Sequence, residues 1–265
     1  MSTPIGNMAD LSGRAIETLG AVAAVLAEDT RHSRPLLDRH GVATPLLAYH
    51  EHNEAKVTPQ VVARLAAGES FALISDAGTP LLSDPGARLV DAAIAAGITV
   101  SPVPGASALL AALVASGVAA DRFTFFGFLE RKGKDRSAAI AEIVALTHTA
   151  VLYEAPARVA DTLAALAAAG AGARHAVVAR ELTKQFEEFR RGTVQSLAES
   201  YQGAPPRGEV VIVVAGAGEQ APDEAALRDR ARGLRAEGLS ARDVARVLTE
   251  ESHAPRNLAY RLAHE

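Results

Sequence analysis

Short apolar runs alternate with segments of helical periodicity through the first half of this 265-residue chain. Each run ends in polar or turn-forming residues and precedes a helix-like segment; the runs are AVAAVLAED, TPLLAYH, FALIS and ITVSPVP. Strands that follow one another through helices pair in parallel, because a crossover is needed to bring the chain back. The alternation therefore predicts an α/β domain with a mainly parallel sheet.

The pattern resets near residues 118 to 122 and divides the chain into three parts. We predict a first α/β domain at 1–118 and a second, with its own sheet, at 119–218. Strands of the second are FTFFGFL, TAVLYEA, HAVVARE and GEVVIVVAG. Residues 219–265 are predicted to form a small appendage of three short helices after the linker-like GAGEQAPDE. The expected fold is two α/β domains with a cleft between them and a helical tail.

Composition excludes several classes of protein. The chain has no Cys, so it has neither disulfides nor thiolate metal ligands. A net charge of −4 and a pI of about 6.1 argue against a general nucleic-acid binder, so any RNA contact must come from local patches. No long uncharged apolar run and no signal peptide stand out, which predicts a cytoplasmic protein without a membrane anchor.

The segment SDAGTPLLSDPG, at 75–86, follows a predicted buried strand and leads into a helix that opens near Pro85. Ligands of open α/β sheets collect outside the carboxyl ends of strands, so this loop is a candidate binding site. PGAS, at 104–107, follows the next predicted strand and enters a helix whose N-terminus offers free N–H groups. In both cases an ordinary turn is the alternative.

The chain resembles the 16S rRNA (cytidine-2′-O)-methyltransferases of the tetrapyrrole methylase superfamily, the class III S-adenosylmethionine (SAM) enzymes. The blocks that carry the resemblance are TPIGNMADLSGRA, AEDTRHSRPLL, YHEHNE, SDAGTPLLSDPG, PVPGASA, FLERKGKDR, YEAPAR, RELTKQFEEFRRG and PRGEVVIVV, in that order. The tetrapyrrole enzymes of the superfamily usually carry GxGPGD where TPIGN stands here, which favours the RNA branch.

The resemblance implies that SAM binds in the cleft, held largely by backbone. The residues that match its binding segments are Asp76, Ala77, Gly78, Thr79, Pro80, Pro104, Gly105 and Ser107. The two glycines lack a Cβ and so allow close approach, and Pro80 stiffens the first loop. Asp76 either receives a polar group of the cofactor or locks the loop.

The reaction implied is methyl transfer to a ribose 2′-hydroxyl, a weak nucleophile that needs alignment and help with its proton. Candidates for these tasks are Lys184, Glu154, Glu181 and Asp29, with Lys184 and Glu154 expected to touch the substrate. The general base and any need for Mg²⁺ stay open. For each residue an intradomain ion pair is the alternative.

The RNA contacts expected from the resemblance lie in separate segments. Phosphate clamps or loop contacts are expected from Arg31, Arg131, Lys132, Lys134, Arg136 and Arg158. His50 and His52 are expected to line the substrate side. Two histidines so spaced could also hold a metal, but no further His cluster is evident and no metal site is predicted. The tail resembles a helix-turn-helix, yet its Arg residues are balanced by acids, so no DNA partner is expected.

Further expectations concern the start of the chain and its partners. Relatives carry an apolar strand before the match to TPIGN, whereas only Met1 and Ser2 precede it here. We therefore expect an N-terminal sheet that lacks a strand. The expected partners are 16S rRNA, in the small ribosomal subunit, and a second copy of the chain. Alternatives are a tetrapyrrole C-methyltransferase and a non-catalytic ribosome-binding relative.

Overall fold

The computed structural model describes residues 1–218, 224–251 and 256–264 and divides the chain into two compact units. The first unit is Met1–Ala215 and contains both sheets, and the second is Gly216–Glu265. The predicted helical appendage corresponds to the second unit. The predicted boundary at 118 falls between the two sheets, inside the first unit.

The first sheet has three parallel strands in the order β2-β1-β3. They are β1 (Ala24–Ala27), β2 (Leu46–Ala48) and β3 (Phe71–Ile74). Five helices accompany them: α1 (Gly13–Ala21), α2 (Thr30–Arg39), α3 (Glu54–Ala66), α4 (Ala87–Ala95) and α5 (Ala108–Ser116). Polar caps begin three of these helices, because a side-chain oxygen satisfies a free N–H of the first turn; the caps are Ser12, Asp29 and Ser107.

The prediction of a strand at 98–104 is wrong. These residues form no ladder in the structure, and β3 pairs only with β1. Pro102 and Pro104 have no N–H to donate, and no neighbouring strand lies beside the segment. Between the segment and β3 lies a largely apolar groove of about 400 Å³, which we call the β3-edge groove.

The second sheet has five strands in the order β4-β5-β8-β6-β7. They are β4 (Phe123–Phe128), β5 (Thr149–Glu154), β6 (His175–Arg180), β7 (Glu188–Thr193) and β8 (Val210–Val214). Only β4 and β5 are parallel, and the other neighbours are antiparallel. Helices α6 (Lys134–Ala145), α7 (Val159–Leu166) and α8 (Val194–Tyr201) complete this half.

The two faces of the second sheet bury different cores. Leu152, Val178 and Ile212 face a cluster that includes residues of α7 and α8. Val151, Val177 and Val213 face the other side, where they pack with residues of α5 and with Ile5. Alternation along each strand sets the two faces, and the second face joins the first half of the unit to the second sheet.

The helical unit has its own core. Its described helices are α9 (Glu224–Ala236), α10 (Ala241–Glu251) and α11 (Arg256–His264). Apolar residues of all three pack together, including Leu227, Val244, Leu248 and Leu262. Across the parts of the chain that the structure describes, no helix combines the length and apolar character that a membrane crossing requires.

Candidate functional site

A cavity of about 480 Å³ lies where the carboxyl end of the first sheet meets the second sheet; we call it the first cavity. It is lined by the ends of β1 and β3, the start of α5, and strands β5 and β8. Its apolar wall consists of Ile5, Leu82, Ala108, Leu182, Val210 and Val211, with Phe128 and Tyr153 at one side. A cavity of this size and mixed lining suits a cofactor-sized ligand.

The 75–79 loop forms the floor between the two halves and is held by its own hydrogen bonds. Thr3 N–H donates to Gly78 O at 2.8 Å, and Gly78 N–H donates to Thr3 O at 3.1 Å. The Ser75 hydroxyl also donates to Gly78 O, at 3.2 Å. Gly78 has a φ of +81°, and a Cβ there would lie 3.2 Å from Cγ2 of Ile5. The loop is therefore set before any ligand arrives.

Asp76 connects the ends of two strands. Its Oδ1 accepts a hydrogen bond from the Asp29 N–H at 3.1 Å, which ties the end of β3 to the residue that follows β1. This hydrogen bond supports the locking role that was left open for Asp76. The residue also lines the cavity, so contact with a ligand is compatible with this role.

Two further carboxylates of the first cavity have no hydrogen bond or salt bridge within the described residues, Glu28 and Asp84. Burial raises the pKa of Asp84 to about 7, with the nearby Glu28 and Asp76 adding to the effect. Burial, and then Asp76, likewise raise the pKa of Glu28. Three carboxyl groups thus share this wall of the cavity, and a cationic ligand would favour their ionised forms.

A second cavity, of about 450 Å³, adjoins the first. The two share Ile5, Asp76, Ala77 and Glu209 in their linings. The second cavity adds polar and cationic side chains from α2 and from the turn after β6, namely Arg31, His32, Ser33 and Lys184. Ligands in the two cavities would meet at the 75–79 loop.

Lys184 lies at the centre of a charged network at this junction. Its Nζ donates to Glu181 Oε1 at 2.9 Å and to Glu209 Oε2 at 3.0 Å. Burial alone would lower the pKa of Lys184, but the two hydrogen bonds outweigh it and raise the pKa above its ordinary value. The hydrogen bond from Lys184 outweighs partial burial in Glu181 and lowers its pKa. Lys184 is therefore an ammonium group at neutral pH and cannot act as a general base.

The turn that carries Lys184 is strained and tightly packed. Glu181 and Thr183 have φ values of +50° and +64°, unusual for residues with a Cβ. The Thr183 hydroxyl accepts the Asn7 N–H at 3.0 Å, and a Cβ on Gly6 would lie 2.4 Å from Lys184 Cγ. The TPIGN segment thus fixes the position of this turn. Strain of this kind persists where surrounding structure holds it and is common at functional sites.

The predicted cofactor residues fall into three groups. Asp76, Ala77, Gly78 and Thr79 line the first cavity, and Ser107 caps α5 at its edge. Pro80 and Pro104 instead line the β3-edge groove. Gly105 lines neither cavity, and a Cβ there would lie 3.0 Å from Cβ of Ser2. The glycine therefore allows close packing of the N-terminal segment, and its contact with the cofactor stays a prediction.

Two of the predicted catalytic carboxylates have structural partners. Glu154 has a fully buried side chain that accepts the Thr162 hydroxyl at 2.6 Å and pairs with Arg158 at 3.2 Å. It is turned into the second half of the unit. Asp29 caps α2 and pairs with Arg31, and hydrogen bonds from the Arg31 side chain and backbone lower the pKa of Asp29 to about 2. Glu154 also lines the first cavity. Both carboxylates are held by neighbouring side chains, and a catalytic role for either stays a prediction.

The predicted RNA-binding residues include some with internal hydrogen bonds and some without. Arg158 donates to Leu129 O and Glu130 O, and Arg136 donates to Glu130 O and the Thr162 hydroxyl. These two arginines hold the 129–136 loop from within, and their contact with phosphate stays a prediction. Exposed cations without a hydrogen bond or salt bridge in the described residues remain at Arg131, Lys132 and Lys134.

Arg31, His50 and His52 lie near the first half of the cleft. The Arg31 side chain is 91% exposed and lines the second cavity while paired with Asp29. The rings of His50 and His52 meet edge to face, 6.0 Å apart, and neither lines a cavity described above. Within the described residues no group of three or more His, Asp or Glu side chains is arranged to hold a metal.

Four further residues that line the first cavity were not predicted: Asp84, Phe128, Tyr153 and Glu209. Each lies at the end or start of a strand or in the SDPG turn, so strand ends were the available signal. Which of many polar strand ends face one cavity depends on the packing of the two sheets, which no local pattern contains.

The sequence matches a known protein family and several known proteins. The sequence pattern of the tetrapyrrole (corrin/porphyrin) methylases matches residues 2–198. The ribosomal RNA small subunit methyltransferase I of Synechocystis sp. is 45% identical over 268 residues, covering 100% of this chain and 96% of that protein. The protein of the same description from Mesorhizobium japonicum is 51% identical over 231 residues, covering 87% of this chain and 78% of that protein.

Solved structures show the same fold at low identity. Uroporphyrin-III C-methyl transferase from Thermus thermophilus, complexed with S-adenyl homocysteine, has a TM-score of 0.57 at 18% identity and covers 82% of this chain and 94% of its own. The cobalt precorrin-4 methyltransferase CbiF has a TM-score of 0.58 at 16% identity and covers 81% and 92%. The predicted fold class is confirmed, and the chain belongs to the tetrapyrrole (corrin/porphyrin) methylases, where it groups with the ribosomal RNA small subunit methyltransferases I.

Proposed function

We propose that this chain is a SAM-dependent methyltransferase that methylates the ribose 2′-hydroxyl of a cytidine in the decoding region of 16S rRNA. The observation that carries the proposal is the end-to-end match, at 45% identity, to a protein described as ribosomal RNA small subunit methyltransferase I. The two adjoining cavities support it, because a group transfer needs a donor and an acceptor that meet.

The first cavity fits SAM in size and in chemistry. Its apolar wall suits the adenosyl group, and Glu28, Asp76 and Asp84 suit the positive charges of the sulfonium and ammonium groups. When bound, SAM supplies an electrophilic methyl group on sulfur. The 75–79 loop needs no rearrangement to present its backbone, which limits the entropy cost of binding.

The second cavity is the acceptor side in this proposal. The Lys184 ammonium, held by Glu181 and Glu209, can donate a hydrogen bond to the ribose oxygen or to a neighbouring phosphate. Asp29 and Glu181 both have lowered pKa values and are poor bases at neutral pH. The chain's own contribution is therefore alignment and exclusion of water, while the proton acceptor is left unassigned.

The 129–136 loop is the proposed RNA contact. Arg131, Lys132 and Lys134 are exposed and follow Phe128, which lines the first cavity. Phosphate contacts from such a loop would position the RNA without reading its sequence. The internal bonds of Arg136 and Arg158 give the loop a fixed base. These contacts suit a folded RNA surface in the small ribosomal subunit. An enzyme that acts on this substrate would be cytoplasmic.

A homodimer is part of the proposal. Helix α5 exposes Leu110 and Val114, with 49% and 75% of their surface open, on one side of a helix that is apolar all round. A second copy would cover these side chains, since exposed apolar neighbours on one helix are typical of interfaces. The mass in solution, measured for the full chain by light scattering, tests this part.

Methyl transfer from labelled SAM to small ribosomal subunits tests the function. Subunits prepared from cells that lack this gene should accept one methyl group on a cytidine ribose, and mapping of ribose methylation should find it. A substrate with 2′-deoxycytidine at that position should accept none, because the nucleophile is gone. Transfer to the deoxy substrate would move the assignment to base methylation, and no transfer to the subunit would refute the proposal.

Lys184 gives a sharper test of the acceptor side. Lys184→Ala should lower kcat by about 100-fold with little change in KM for the subunit, because alignment of the reacting hydroxyl is lost. Lys184→Arg keeps a cation and should recover part of the rate. An unchanged kcat for Lys184→Ala would remove the residue from the reaction.

The role of the loop cations is tested with two double variants, one in the loop and one at exposed positions elsewhere. The double variant Arg131→Ala, Lys132→Ala should raise KM for the subunit and reduce the salt dependence of KM. With fewer phosphate contacts, fewer counterions are released when the RNA binds. Arg39→Ala with Arg122→Ala removes the same charge from exposed positions elsewhere and should change neither. Equal effects of the two pairs would show that net charge alone matters.

A further inference from the structure

The last residue of β4, Phe128, is a large aromatic side chain that is 56% exposed at the edge of the first cavity. Aromatic residues are scarce in this chain, at 4% of the sequence. Most of them pack in the sheets, so an exposed ring beside the reaction site needs a reason.

The backbone makes a special arrangement to put this ring there. Phe125 pairs with Val151 and packs on the face toward the cavity, and Phe126 packs on the opposite face. Strict alternation would place Phe128 on the same face as Phe126. The register shifts between Phe125 and Phe128, however, so that Phe128 is paired with Tyr153.

The shift is a β-bulge, and it re-aims the side chain. Tyr153 packs on the cavity face, and its ring centroid lies 5.5 Å from that of Phe128 and 4.9 Å from that of Phe125. Gly127, inside the bulge, has a φ of +61°, and a Cβ there would lie 2.9 Å from Oγ of Ser83. Bulges are rare in parallel pairs and are found beside active sites, where they redirect a side chain.

The surroundings of the ring indicate what it binds. β4 is the outer strand of its sheet, and the first cavity lies mainly over β5 and β8. The exposed cations Arg131, Lys132 and Lys134 follow Phe128 in the next turns of the chain. An aromatic ring with cations close after it is the combination that binds single-stranded RNA, by stacking on a base and by contact with phosphates.

We propose that Phe128, backed by Tyr153, is a stacking platform for an unstacked nucleobase of the acceptor RNA. The base leaves its own stack and lies on the ring at the rim of the cavity, while the 131–134 cations bind the adjoining phosphates. The platform holds the acceptor strand over the junction of the two cavities. This inference rests on the proposed function and adds a base-binding subsite to it.

The experiment compares three substitutions at 128, with small ribosomal subunits and labelled SAM as probes. Phe128→Leu keeps apolar volume but removes the aromatic face, and it should raise KM for the subunit by about tenfold. Phe128→Tyr keeps the ring and should restore KM to within about twofold of the parent. SAM affinity, measured by calorimetry, should stay within about twofold for both, and Phe128→Ala should behave like Phe128→Leu.

The control is Phe123→Leu, at the other end of the same strand, where the ring is 37% exposed. It should leave KM for the subunit unchanged. A loss of SAM affinity in Phe128→Leu with no change in KM for the subunit would show that the ring covers the cofactor, and an unchanged KM would remove the platform. Both outcomes presuppose methyl transfer by the parent enzyme, so a parent without transfer is the separate failure of the proposed function.

Discussion

Carboxylates around the cleft differ in what surrounds each oxygen. Glu154 is buried with a hydroxyl, a backbone N–H and a guanidinium around it, so its charge is fully compensated. Glu28 and Asp84 line a cavity without a hydrogen bond or salt bridge in the described residues. A compensated carboxylate stabilises the fold, whereas an uncompensated one costs stability until a cation arrives.

For Glu154 the expected effect of substitution is therefore on stability. Glu154→Gln breaks a buried ion pair with Arg158, and it should lower the free energy of unfolding by about 3 kcal/mol. Urea denaturation of the full chain measures the change. Thr162→Val removes one hydrogen bond but keeps the charge pair, so it should cost less. Normal stability with a large loss of kcat in Glu154→Gln would instead make Glu154 catalytic.

Asp84 should make stability and cofactor binding depend on pH in opposite directions. Its pKa is about 7 in the folded chain, against 3.8 as the ordinary value, so the folded state holds a proton that the unfolded state has released. Stability without ligand should therefore fall as pH rises from about 4 to 7. SAM affinity should rise over about pH 6 to 8, because the ionised carboxylate attracts the cationic ligand.

The variant Asp84→Asn separates these effects. At about pH 8 it should be more stable than the parent by about 1 kcal/mol, less than the full equivalent of the shift because water reaches the group. Its SAM affinity should be lower and nearly independent of pH. Thermal unfolding and calorimetry at two pH values measure both, and a parent affinity that is flat across this range would contradict the assignment.

At the scale of elements, the 75–79 loop is rigid because two separate segments complete each other's hydrogen bonds. Thr3 and Gly78 exchange two backbone bonds, and Thr79 donates to Ala106 O at 3.1 Å. The N-terminal segment, the end of β3 and the approach to α5 therefore form one network. A change at any of the three should reach the cavity.

Gly78→Ala tests this coupling. The left-handed backbone and the 3.2 Å approach of Ile5 should cost about 1–2 kcal/mol in stability and lower SAM affinity by about tenfold. Gly41→Ala is the matched control, because Gly41 also has a positive φ, +66°, but a Cβ there would meet nothing within 4 Å. It should cost a similar backbone term and leave SAM affinity alone. Equal losses of affinity would mean that the loop is not specially coupled to the site.

Strands with a clear local sequence pattern could be predicted, whereas strands that depend on a neighbouring strand to pair with could not. FALIS was predicted as a strand because its apolar run is bounded by turn residues, and β3 lies there. ITVSPVP has the same character but no neighbouring strand; one backbone hydrogen bond, from Ser2 N–H to Val103 O, is not enough to form a ladder. β7 carries Glu188, Arg190 and Arg191 and was missed, because a charged edge strand lacks apolar alternation.

The same reason explains which parts of the site were found. SDAGTP was identified because glycine and proline mark a turn after a strand, and its residues 76–79 line the first cavity. The Glu154 side chain points inward because it binds Thr162, and the Phe128 side chain points outward because of a one-residue bulge. Neither feature has a sequence signature at those positions. Residue types could be predicted to be near the cleft, but not which way each side chain faces.

The whole molecule divides into two compact units, and each unit has its own hydrophobic core. The first unit buries its apolar side chains in clusters that include both sheets, and the helical unit buries Leu227, Val244, Leu248 and their neighbours among themselves. Every residue that lines the two cavities lies between 3 and 211. The binding of SAM should therefore depend on the first unit alone.

A chain that ends at residue 218 tests this division. It keeps all of β8 and the first unit, Met1–Ala215, and it removes helices whose core is their own. SAM affinity by calorimetry should stay within about twofold of the full chain, because no lining residue is lost. Thermal unfolding of the shortened chain in the presence of SAM should show the same ligand-dependent rise in Tm, since that rise depends on ligand concentration and affinity. A weaker affinity, or a first unit that no longer unfolds cooperatively, would show that the helical unit completes the fold of the methyltransferase part. With both unchanged, any fall in transfer to ribosomal subunits would assign the helices to recognition of the large substrate.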